Sequence, residues 1–78
     1  MKKYTEMTRN EINNIIKIGG DDLKKLNQEV ANYLDRLNLS DKARDIIADT
    51  DINSMAECFG GLFGAEEIEN YINENYED

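Results

Sequence analysis

The stretch DDLKKLNQEVANYLDRL, Asp21 to Leu37, decides the fold. Leu23, Leu26, Val30, Tyr33 and Leu37 follow one another at alternating steps of three and four, the spacing that brings side chains onto one face of an α-helix. Leu34 widens that stripe beyond a coiled-coil seam into the face of a helix packed in a bundle. Asp21 and Asp22 suit the positive end of the helix dipole. Leu26, Val30, Tyr33, Leu34 and Leu37 are therefore expected to anchor the core. A helix with one apolar face is stable only when other elements cover it, so the flanking sequence must supply them.

It does so on both sides. Upstream, Thr8 and Glu11 have the spacing of a capping box, Ile12, Ile15 and Ile16 share one face, and Gly19 and Gly20 stop the pattern, which predicts a helix over Arg9–Ile18. Downstream, Ser40 is an N-cap for a short helix with Ala43, Ile46 and Ile47 on its apolar side. In the final AEEIENYINENYED, Ile68, Tyr71, Ile72 and Tyr76 fall on one side of a last helix. No segment alternates like a strand, and there is no proline. The reading is all-α: a compact bundle of four to five short helices forming a single domain over residues 1–78. A chain this short buries only about 60% of its unfolded surface, so the core is modest.

The stretch DTDINSMAECFG, Asp49 to Gly60, allows two readings. Asp49, Asp51 and Asn53 alternate like the first, third and fifth ligand positions of the calcium loop in EF-hand proteins, which this half-motif resembles. It is also similar to the short calcium loop of the excalibur family. Ser54, however, stands where either loop needs glycine, and Gly60 replaces the acid that closes an EF-hand, so no metal is expected. The other reading uses more residues. Ser54 and Glu57 form a second capping box, and Met55, Cys58, Phe59, Leu62 and Phe63 then share a helix face, with Asp49 and Asp51 as turn and cap residues. Gly60 and Gly61 fall inside that helix, at a cost of up to about 2 kcal/mol relative to alanine. This implies close packing of a neighbouring helix or a break in this one or, alternatively, a groove or self-association surface around Gly60 and Gly64.

Histidine is absent, which removes the commonest general base and the commonest transition-metal ligand. Cys58, the single cysteine, lies on the apolar face between Met55 and Phe59 and reads as a structural thiol in a reducing compartment. Neither the polar N-terminal segment nor the short run CFGGLFGA can serve as a signal core or membrane span, so a cytoplasmic protein that does not enter a membrane is expected. In length, acidity and the segment NSMAE the chain resembles acyl carrier proteins, and that resemblance implies a phosphopantetheine on Ser54. Asn53 stands where carriers have aspartate, and an intervening helix is missing. The residues themselves point to no enzyme activity and no cofactor.

Charge is the remaining signal. Residues 1–44 hold all nine Lys and Arg against seven acids, whereas residues 45–78 hold ten acids and no base, within a net charge of -8. Such a chain is a poor ligand for a phosphate backbone and a good one for a basic protein surface. Asp49, Asp51, Glu66, Glu67, Glu69, Glu74, Glu77 and Asp78 are the candidate contacts. On a helical wheel the carboxylates of the last helix lie off its apolar side, so replacing Glu67, Glu69 and Glu74 is expected to leave the fold intact. Small acidic helical proteins of this kind resemble, as a class, phage and mobile-element inhibitors, including anti-CRISPR proteins and DNA mimics. The resemblance implies a nucleic-acid-binding enzyme as partner and no direct contact with nucleic acid. The alternative is a structural or regulatory subunit that associates through the apolar glycine-containing helix.

Overall fold

In a computed structural model, which describes residues 2–76, the Thr8 hydroxyl accepts from Glu11 N–H and the Glu11 carboxylate accepts from Thr8 N–H, so the expected capping box starts helix α1, Arg9–Ile18. Gly19, at φ 76°, ends it, and Gly20, at φ 74°, opens α2, Gly20–Arg36, without a connecting loop. Two consecutive left-handed residues reverse the chain in the least possible length, a backbone path that favours glycine. Ser40 caps α3, Asp41–Asp49, by accepting from Ala43 N–H. Helices α4, Met55–Phe59, and α5, Ala65–Asn75, complete the bundle, with 3-10 turns at Tyr4–Glu6 and Ile52–Ser54. The fold is all-α as expected, and among the described residues no helix is long and apolar enough to cross a membrane.

The long helix α2 is the central post, with α1, α4 and both 3-10 turns packed on it, while α5 packs across α3. Leu26, Val30 and Leu34 of α2 are buried against Ile12, Ala43, Met55, Ala56, Phe59, Ile68 and Ile72, and Tyr33 and Leu37 are half-buried at the margin. The core thus takes at least one residue from every helix. One buried polar side chain belongs to it. Asn27 donates to Asn53 O at 3.2 Å and accepts from Ala56 N–H at 2.8 Å, which fastens the 3-10 turn and the first turn of α4 to α2.

The segment after Asp49 departs from expectation in two ways. Ser54 caps nothing with its side chain, because the preceding 3-10 turn runs directly into α4 and holds Ser54 at φ -108°, ψ 0°, instead of the extended backbone a capping serine needs. The Asn27 amide takes over the capping role, accepting from Ala56 N–H. The helix also stops at Phe59 and does not run on through Phe63, so of the alternatives for Gly60 and Gly61 a break is what occurs. Gly60 turns extended, at ψ 137°, and Gly61 adopts φ 89°, so Leu62 and Phe63 lie half-buried in the connection to α5. Close packing at Gly60 is real. A Cβ there would meet the carbonyl oxygen of Ala56 and lie 3.2 Å from Ile12 Cγ2. In this shortened helix Met55, Ala56 and Phe59 are buried, whereas Gly60, Leu62, Phe63 and Gly64 of the connection that follows are half-buried.

Candidate functional site: the acidic C-terminal half

The connection from Gly60 to Gly64 positions α5, and the N-terminal segment holds that connection. Tyr4, buried at 1% exposure, donates from its hydroxyl to Leu62 O at 2.7 Å and accepts from Gly61 N–H at 3.1 Å. Its ring stacks on Phe63 and meets Tyr33 edge-on, and the Tyr33 hydroxyl accepts from Gly64 N–H at 2.7 Å. Arg9 reaches the same loop, donating from Nε to Gly61 O at 3.1 Å and from Nη2 to Glu67 Oε1 at 2.7 Å. Ile68 and Ile72 are buried, which fixes the outward face of α5 as predicted.

The candidate carboxylates divide into two groups. Glu67, Glu69 and Asp51 are engaged within the chain. Glu67 accepts from both Arg9 and Phe63 N–H, the latter at 2.8 Å, so it closes the first turn of α5. Glu69 spans to α3, accepting from Ser40 N–H at 2.7 Å and from the Ser40 hydroxyl at 2.8 Å. Asp51 accepts from Asn53 N–H at 3.0 Å and caps the 3-10 turn, as the turn-and-cap reading expected, while Asp49 is the last residue of α3 and lies at the helix end without a side-chain cap bond among the described residues. The expectation that the α5 carboxylates stand free of the fold fails at Glu67 and Glu69. A helical wheel predicts the direction of a side chain but not which backbone N–H or arginine will come within its reach.

Asp49, Glu66 and Glu74 are exposed and make no hydrogen bond or ion pair among the described residues. Glu77 and Asp78 lie outside the described residues. Asp45 on α3 and Glu57 on α4 join the unengaged group, both exposed, although the sequence reading did not single them out. The same count of acids without bases that marked the C-terminal half could have included them. Arg9 carries a cation from the basic half to an acid of the acidic half, Glu67. The ion pair Lys2–Glu11, at 3.0 Å, is internal to the N-terminal half, and there the Thr8 N–H and the Lys2 ammonium hold the Glu11 carboxyl below the usual range.

The α5 C-terminus carries no basic residue to offset its dipole. Asn75 Nδ2 instead donates to Tyr71 O at 2.8 Å, a neutral hydrogen bond that leaves the charge of Glu74 uncompensated. Ser54 is half-buried at the junction of the second 3-10 turn and α4. Cys58 is half-buried, more open than a core thiol, and lies close to Tyr71. Among the described residues no group of three or more acidic or cysteine side chains is placed to hold a metal ion. No protein-family profile, curated protein or solved structure matches the chain.

Proposed function

We propose that the protein is a non-enzymatic binding module whose acidic C-terminal half occupies a basic surface of another protein. The observation that carries this reading is the set Asp45, Asp49, Glu57, Glu66 and Glu74: five exposed carboxylates on three successive helices, none of them in the ion pairs Lys2–Glu11 and Arg9–Glu67. Exposed like charges destabilise the fold that carries them, by up to about 1 kcal/mol where one opposes a helix dipole, as Glu74 does. A partner rich in Lys and Arg removes that repulsion on binding and is steered toward it at a distance. Absence of histidine supports a role without acid–base catalysis. The surface charge suits a nucleic-acid-binding enzyme as partner, in the manner of the anti-CRISPR and DNA-mimic inhibitors that phages and mobile elements make.

Three of the candidate contacts, Glu67, Glu69 and Asp51, are engaged within the chain. Glu67 and Glu69 serve the fold, so replacing them tests stability and binding together. The clean variant is Asp45→Asn, Asp49→Asn, Glu66→Gln and Glu74→Gln, which alters only unengaged side chains. After affinity capture of the partner from cells of the source organism, its association rate is measured for wild type and variant at low and high salt. The variant should associate more slowly at low salt, the difference should shrink as salt rises, and nucleic acid should compete. Equal rates at both salt concentrations would falsify the assignment.

A further inference from the structure

Where the C-terminal turn of α2 faces α3, a crevice of about 90 Å³ opens between Leu34, Leu39, Ile47 and Ala48, with Asp35 and Arg44 at its rim. Its floor reaches the core, since Leu34 and Leu39 are both buried, yet Ala48 and Asp35 on its edges are exposed. Small-molecule sites run to about 300–1,000 Å³, so this crevice has the capacity for a single side chain and not for a metabolite. The rim is polarised. Arg44 folds back to donate to Leu37 O at 2.9 Å, on the exposed carbonyl end of α2, whereas Asp35 has no partner among the described residues. On α3, Asp45 lies three residues before Ala48 and so on the same side of the helix, also unengaged.

We propose that this crevice receives one aliphatic side chain of the basic partner, of about the size of leucine, with lysines or arginines on either side of it reaching Asp35 and Asp45. The inference rests on the acidic-surface reading above and adds to it the chemistry of the recognised segment: an apolar residue set among basic ones. An apolar anchor in a desolvated pocket with charges at the rim is the arrangement in which a few residues carry most of the binding energy. A second copy of the chain is the wrong occupant on charge grounds, because two molecules of net charge -8 repel.

Two synthetic peptides test the proposal, one with a single leucine flanked on both sides by lysines and its counterpart with alanine in place of leucine. Each is titrated into the isotope-labelled full chain while backbone amide signals are followed by NMR. The leucine peptide should bind about tenfold more tightly and shift the amides of Leu34, Leu39, Ile47 and Ala48. Ala48→Phe, an exposed position whose new ring fills the crevice, should erase the preference for leucine while leaving the affinity for the alanine peptide unchanged. Asp35→Asn, a conservative change at an exposed site, should weaken the leucine peptide about threefold at low salt and provides the same test if Ala48→Phe is poorly folded. Equal binding of the two peptides overturns the crevice proposal and leaves the acidic surface standing. Failure of both to bind overturns the acidic-surface reading and the crevice with it. Shifts at the crevice that depend on protein concentration without peptide would assign it to a second copy and overturn the proposal.

Discussion

Tyr4 shows how much one side chain outside the predicted core can do. Its hydroxyl is shared between Gly61 N–H and Leu62 O, and burial pushes its ionisation up to about 12 from the ordinary 10.0, with the hydrogen bond to Gly61 acting in the opposite sense. Below the unfolded value, folded and unfolded chains both hold the proton and Tyr4 contributes no pH dependence. Above it the unfolded chain gives up its proton while the folded chain keeps it, so stability falls as pH rises from about 10 toward about 12. Tyr4→Phe keeps the ring contacts but leaves Gly61 N–H without its acceptor. It should lower unfolding free energy by about 1–3 kcal/mol at neutral pH and flatten the alkaline decline, both read from urea midpoints across pH. The half-buried Tyr71, whose ionisation is also raised, chiefly by burial, accounts for part of the slope that remains. Asn27 is the second such residue. Asn27→Ala removes the acceptor of Ala56 N–H and should cost about 1–3 kcal/mol, with amide exchange accelerated first at residues 53–56.

At the scale of the element, the connection after α4 is the sensitive one. Gly60→Ala drives a methyl group against the Ala56 carbonyl and Ile12, and neither backbone nor core can move away cheaply. A loss of about 1–3 kcal/mol by thermal or urea unfolding is expected. Leu34→Ala, at 2% exposure in the last turn of α2, should cost about 2–5 kcal/mol. Helices α1, α2, α3 and α5 were legible in the sequence because each carries its own signal: the Thr8–Glu11 box, the Leu–Val–Leu stripe, Ser40, and the Ile68–Ile72 pair. The region from Ile52 to Gly64 was legible only as a helix following Ser54, and its cap and its course after Phe59 were not, because they depend on distant partners. Asn27, Tyr4, Arg9 and Tyr33 satisfy its backbone groups, and local spacing carries no trace of them. For the same reason the acidic half was legible as a surplus of charge, but the division between Glu67 and Glu69, which hold the fold, and Glu66 and Glu74, which do not, was hidden. Glu69→Ala should therefore lower stability by about 1 kcal/mol through loss of the Ser40 contacts, whereas Glu74→Ala should leave it unchanged or raise it, a contrast that paired melting curves resolve.

For the molecule as a whole, the surplus of unengaged carboxylates makes stability responsive to ionic strength. Added salt screens repulsion among Asp45, Asp49, Glu57, Glu66 and Glu74, so the melting temperature of the free protein should rise between low and moderate salt while partner association slows. The anchoring of Tyr4 also bears on how the polypeptide is made. Its partner Leu62 lies 58 residues further along the chain. At about 5–20 residues per second, a ribosome needs about 3–12 s to travel that interval. Throughout those seconds Tyr4, Ile12 and Val30 have their neighbours on α1 and α2 but lack the α4 and α5 part of the core, and the nascent chain must either collapse provisionally on itself or be sheltered by a chaperone. A fragment comprising residues 1–59 should accordingly show no fixed aromatic signature in near-ultraviolet circular dichroism, and the signature should emerge only when the template extends past Phe63.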